Sequence, residues 1–234
     1  MTGVAITSSM DIRNEVAALK RERTIEVAAS LFYERGYENT SLDMIAERMN
    51  VTKPFIYAHF VSKAELLAEI CARGIASAME AMDGVLSAGS GSPRSQLEEV
   101  GRRFATAVLT NQRHIAIFAR EEKNLASDDF KRISDMRRAF DHKLVGLLDE
   151  GVAAGEFTIA DTRMAALAIG GMVSWAYVWY RDHGRFSIDQ ISRELTGLIL
   201  GMVAARGLEP QRPKQGPRRA TRPRNRSSSK TKIE

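Results

Sequence analysis

A chain of 234 residues with 44% hydrophobic content can bury one sizeable core or two modest ones. Its single cysteine, Cys71, excludes an intrachain disulfide and fits a reducing cytoplasm. The net charge of +5 is uneven: the residues after Pro210 hold nine Lys or Arg against one Glu, leaving 25 basic and 28 acidic residues before them. A body with that slight acidic excess cannot hold a polyanion by bulk charge and must place its cations locally.

Met1 to Met10 has neither a basic start nor a continuous apolar run, so no signal peptide is expected. Residues 1–13 lack periodicity and are expected to form a disordered arm. A first helix is predicted from about Asn14 to Arg35, with Ile25, Ala28, Ala29 and Phe32 on its inner stripe. Gly36 ends it as a C-terminal cap glycine does. Arg13, Lys20, Arg21 and Arg23 cluster toward its opening.

The stretch from Leu42 to Phe60 reads as two short helices and a tight turn. Leu42, Ile45, Ala46 and Met49 share one face of the first, and Thr40 or Ser41 can cap its start. The turn falls at Asn50-Val51, since Asn follows Gly as the residue best suited to a left-handed backbone. Thr52 can cap the second helix, and Pro54 in its first turn loses no internal hydrogen bond. Phe55 and Phe60 are expected to pack inward, leaving Thr52, Lys53, Tyr57 and His59 to face outward. Polar residues at the start of the second helix of such a unit read DNA in the major groove.

The run AASLFYERGYENTSLDMIAERMNVTKPFIYAHFVSKAELL, Ala28 to Leu67, resembles the DNA-binding domain of the tetracycline-repressor (TetR) family. The matching features are Leu31-Phe32, Gly36-Tyr37, Thr40, Ile45-Ala46, Val51, Tyr57, Phe60, Lys63 and Leu66-Leu67. Asn50 stands where the family usually has Gly, and Pro54-Phe55 where small residues are usual. The resemblance implies a head over 14–61, with DNA contacts at Thr40, Ser41, Thr52, Lys53, Tyr57 and His59 within it and at Lys63 just after it. Tyr57 and Lys63 match backbone-contact positions, and the start of the first helix lies near phosphate in the same family.

The rest of the body, 62–207, is predicted to be helical. Ser62 and Glu65 form a capping box that opens a helix running to about Leu86. Ser87 to Pro93, SAGSGSP, is a loop. Helices follow at about Arg94–Thr110 (inner Leu97, Val100, Phe104, Val108), Gln112–Asn124 (inner Ile115, Phe118, Ala119) and Asp128–Ala154 (inner Ile133, Phe140, Leu144, Leu147). No strand alternation appears, so the class is all-α.

Met164 to Tyr180 carries no charge, yet it is shorter than the roughly 20 apolar residues a membrane span needs. A helix apolar all round is expected to be buried all round, on its own core and on a second subunit. The last helix, Ser187 to about Arg206, has the stripe Ile188, Ile191, Leu195, Leu198, Met202 and Val203, with Gly197 and Gly201 permitting close approach. Together they suggest a homodimer through a four-helix bundle, as the resemblance also implies. Residues 208–234 alternate Pro with Arg, Lys and Ser and are expected to be a disordered basic tail that adds sequence-independent DNA affinity.

His59, His114, His142 and His183 have no ligand-spaced partners, and no nucleophile elbow, phosphate loop or dinucleotide fingerprint occurs, so neither metal, cofactor nor catalysis is expected. The leading reading is a dimeric ligand-responsive repressor on a palindromic operator, with the effector lodged among Phe104, Val108, Phe118, Glu121, Met172, Trp175 and Trp179. EEKNL (121–125), RRAFDHKLVGLLDEGVAAGEF (137–157) and GMVSWAYVWYRDHGRFS (171–187) resemble family members that control fatty-acid or sterol catabolism and respond to acyl-CoA thioesters. Two alternatives stay open: a non-inducible, sequence-tolerant DNA-binding protein that relies on its basic tail, and an enzyme on a helical scaffold.

Overall fold

The structure, a computed structural model, describes residues 9–204; the tail expected over 208–234 and most of the N-terminal arm lie outside them. Among the described residues every regular element is helical and no strand forms. The helices are α1 (Ser9–Arg35), α2 (Leu42–Met49), α3 (Lys53–Tyr57), α4 (Lys63–Leu86), α5 (Pro93–Thr110), α6 (Gln112–Glu121), α7 (Ser127–Ala153), α8 (Thr162–Ser174), α9 (Ala176–Trp179) and α10 (Ile188–Ala204). Helix α1 begins at Ser9 rather than near Asn14, since neither Gly nor Pro interrupts that segment. It ends where expected: Gly36 turns to φ +83° and donates its N–H to the Phe32 carbonyl at 2.9 Å.

The apolar stripes build two cores. The first joins Ile25, Ala28 and Phe32 of α1 to Ile45 of α2, Ile56 of α3 and Leu66 of α4. The second joins Met82 of α4, Phe104 and Val108 of α5, Phe140 and Leu147 of α7, and the inner residues of α8 and α10. Helix α4 serves both, its first turns in the head and its last in the body. Helix α6 fastens the two together. Its Ile117 joins the head core, and its Ile115 lies on Gly74 of α4, where an added Cβ would stand 2.8 Å from the isoleucine side chain.

The segment Met164–Tyr180 departs from expectation in two ways. It is not one helix: the chain tightens at Trp175, whose carbonyl accepts from Val178 N–H at 3.0 Å in an i→i+3 turn. It then ends at Tyr180, because Gln112 Nε2 of α6 donates to the Tyr177 and Tyr180 carbonyls at 2.8 and 3.0 Å. Nor is it buried all round within one chain. Ala166, Ile169, Val173 and Ala176 face the core, while Met164, Leu167, Trp175 and Trp179 are exposed. On α10, Leu198 is likewise exposed, and no atom lies within 4 Å of a Cβ placed on Gly197 or Gly201.

Candidate nucleic-acid interface and ligand cavity

Helices α2 and α3 meet through a turn whose chemistry the sequence dictates. Ser41 Oγ accepts from Met44 N–H at 3.2 Å and opens α2. Asn50 closes it at φ 54°, ψ 45°, in the left-handed region. Thr52 occupies the N-cap of α3, though its hydroxyl makes no capping bond. Ile56 is the fully buried anchor of α3. Phe55, expected inside, is half-buried and stands edge-on to His59, with ring centroids 5.3 Å apart, so His59 is only partly free to face outward.

The DNA-facing candidates divide into three places. Ser41, Tyr57 and Lys63 line one cleft of about 430 Å³ on the outer side of the head, with Asn39 and Asp43. Thr52 and Lys53 are exposed at the start of α3, beside that cleft. Thr40 is a correction: it is 2% exposed and its hydroxyl donates inward to the Gly36 carbonyl at 2.9 Å, so it shapes the cleft wall from behind. Lys53 Nζ meets Asp43 Oδ2 at 2.5 Å across the turn, and that carboxylate holds the ammonium above its ordinary range. Asp43 escaped the sequence reading because pairing between two helices has no local signal. Lys63 Nζ donates to the Tyr37 carbonyl at 3.0 Å and sits 4.1 Å from the centre of that ring. At the N-terminus of α4, Ser62 Oγ accepts from Glu65 N–H at 3.1 Å, while Glu65 Oε2 accepts from Val61 N–H at 2.7 Å.

In the body, α4 to α8 surround a cavity of about 510 Å³. Phe104 and Val108 of α5 and Phe118 of α6 line it, as the sequence suggested. The other four candidates lie elsewhere. Glu121 turns to the head, its Oε1 accepting from Tyr37 N–H at 3.3 Å. Met172 packs beside the body core, not in the cavity wall. Trp175 and Trp179 are 61% and 47% exposed, because the turn at Trp175 and the one-sided burial of α8 send both rings outward. Trp175 meets Tyr177 edge-on at 6.3 Å between centroids.

Among the lining residues missed were three charged ones and one at the rim. Arg137 and Asp141 of α7 and Glu122 lie in the cavity wall, and Leu167, 60% exposed, stands at its rim. Arg137 was legible in principle, since it interrupts the stripe Ile133, Phe140, Leu144 at a position where an apolar residue belongs. Its guanidinium lies 5.7 Å from the centre of the Phe118 ring. Partial burial pushes the Asp141 carboxyl up from its usual range. Cys71 also reaches the cavity, but burial pushes its thiol up to about 12, which leaves it unreactive. The chemistry on offer is an apolar slot with three charged side chains in its wall.

Both parts of the chain resemble known proteins. Residues 25–70 match the family model "Bacterial regulatory proteins, tetR family", and residues 90–203 match "Tetracyclin repressor-like, C-terminal domain". The chain is 27% identical over 188 residues to the transcriptional repressor KstR2 of Rhodococcus jostii, covering 80% of this chain and 92% of that one. A TetR/AcrR-family regulator from Thermobifida fusca is 33% identical, with a TM-score of 0.62 over 77% of this chain and 96% of its own. AibR, solved with isovaleryl coenzyme A and operator DNA, is 25% identical, with a TM-score of 0.65 over 76% of this chain and 97% of its own. With the helix-turn-helix at one end and the matching helical body at the other, the chain belongs to the TetR family of DNA-binding transcriptional regulators.

Proposed function

We propose that the protein is a homodimeric repressor that holds a palindromic operator and releases it when the apolar acyl chain of a small-molecule effector, an acyl-CoA thioester, fills the body cavity. The observation that carries this reading is the 510 Å³ cavity walled by α6 and α4, the two helices that also pack on the DNA-binding head. The dimer is supported by the exposed apolar faces of α8 and α10, including the open glycines 197 and 201. Two heads then reach successive major grooves, and the half-sites lie about one helical turn apart. The ligand class is supported by the AibR complex, together with the chain's likeness to KstR2. In this reading Thr52 and Lys53 face base edges, while Tyr57 and Lys63 contact phosphate.

The test is operator selection from random duplexes, followed by titration of the complex with isovaleryl-CoA and a long-chain acyl-CoA. Expected are one palindromic motif and a fall in affinity with at least one thioester. In the same assay Lys63→Ala weakens specific and random duplexes alike and flattens the salt slope by about one unit. Equal affinity for all duplexes, with a steep salt dependence and no thioester effect, would instead establish the sequence-tolerant, tail-driven binder.

A further inference from the structure

The loop between α1 and α2 is held from two sides at a single residue, Tyr37. Glu121 Oε1, at the last residue of α6, accepts from the Tyr37 N–H at 3.3 Å. Lys63 Nζ, at the first residue of α4, donates to the Tyr37 carbonyl at 3.0 Å. The second oxygen of Glu121 accepts from Asn124 Nδ2 at 2.9 Å, which fixes the carboxylate's direction. One step back along α6, Phe118 is in the cavity wall, and Glu122 follows directly after Glu121 in the same wall. We propose that Glu121 is a coupling residue, acting through the position of the Tyr37 backbone on Lys63, that transmits the state of the body cavity to the DNA-facing cleft. The proposal rests on the reading of that cavity as the effector site.

The physical case is one of reach and direction. A single helical turn is stiff, so anything that displaces Phe118 moves Glu121 with it. The Tyr37 N–H and C=O belong to successive peptide units, so the two bonds act together by position: they clamp Tyr37 between the end of α6 and the start of α4. Losing the Glu121 bond lets Tyr37 shift and carries its carbonyl with it, which moves Lys63, a lining residue of the cleft beside Tyr57. The head does not need this bond in order to fold. Tyr37 is only partly buried, so water can satisfy its N–H, yet the acceptor comes from 84 residues away on the cavity helix.

The experiment is a double-mutant cycle on operator affinity in the full-length protein, with Glu121→Ala, Lys63→Ala and the pair, using the selected duplex at fixed salt. Glu121→Ala is expected to weaken operator binding roughly five- to tenfold with Lys63 present and by less than about twofold without it. Glu121→Gln, which keeps an acceptor for the Tyr37 N–H, is expected to restore most of the loss, which separates coupling from misfolding. With isovaleryl-CoA as probe, Glu121→Ala should bind the thioester as wild type does in the absence of DNA, while the ratio of operator affinities with and without it falls toward one. Equal losses in both Lys63 backgrounds, or an unchanged ratio, overturn the proposal. A wild-type protein that binds neither short- nor long-chain thioester overturns the effector reading instead, and the cycle still decides whether Glu121 acts through Lys63.

Discussion

The head and the α8–α9 segment are both rich in apolar residues at helical spacing, and they obey that spacing in opposite ways. In the head the apolar face closes on itself: Ile45, Ile56, Phe60 and Leu66 are each at most 1% exposed. In α8 and α9 half of the apolar residues remain outside, with Leu167 at 60% and Trp175 at 61%. The head carries polar residues on its outer side and needs no partner to complete its core. The outward face of α8 is mostly Met164, Leu167 and Trp175, which fits the second copy proposed above. Periodicity reports that a surface will be buried; it does not report by what.

The largest effect expected is the one that sets these regions against each other. Phe60→Ala removes a fully buried ring and should cost about 3–5 kcal/mol of stability in a denaturant melt. Trp175→Ala removes a larger ring, yet should cost the isolated fold less than about 1 kcal/mol and act on the dimer, seen as a raised dissociation constant in sedimentation. A Trp175→Ala protein that melts as early as Phe60→Ala would end the distinction.

Glycines sharpen the same contrast. A Cβ on Gly151 would meet the Phe157 ring at 2.0 Å, so Gly151→Ala should destabilise the fold by about 1–3 kcal/mol. Gly171 and Gly201 meet nothing within 4 Å in the single chain. Their alanine variants should keep the thermal midpoint measured on dilute protein and change only its concentration dependence.

Within the head, Thr40→Val should cost about 1–3 kcal/mol, because the buried Thr40 hydroxyl serves the Leu31 carbonyl at 3.4 Å as well as the half-buried Gly36 carbonyl at 2.9 Å. Ser41→Ala, at the neighbouring exposed cap, should cost about 1 kcal/mol. If the two losses were equal, Thr40 would be a surface residue after all.

The smallest effect is a pH dependence at the junction of head and body. His114 of α6 is 6% exposed, and its Nε2 has no hydrogen-bond partner. Glu26 Oε1 stands 3.6 Å away, with Arg73, Glu22 and Arg113 also facing it. Burial pushes the imidazole down from its ordinary range. The unfolded chain therefore binds the proton first, and stability contributed by neutral His114 is full above about pH 6.5 and declines as pH falls below it. His114→Leu should flatten that acid limb of a thermal-midpoint profile.

The local chemistry was legible in the chain. Asn50 adopts φ 54° because Asn tolerates the left-handed region, and Ser41 and Ser62 cap because a hydroxyl there reaches an orphan N–H. The stripes of α5 and α7 were legible for the same reason, since a period of 3.6 places them on one face. Three of the seven expected cavity residues, Phe104, Val108 and Phe118, came from that periodicity. What it missed depends on contacts between distant segments. Glu121 reaches a loop 84 residues away, Lys53 pairs across the turn with Asp43, and Gln112 ends α9 by taking two carbonyls. Arg137 and Asp141 become cavity residues only when α7 lies against α6 and α8. Spacing fixes which residues share a face, because the backbone sets it residue by residue. Which face meets a core, a cavity or open solvent is decided by the packing of whole helices, and that only the tertiary structure holds.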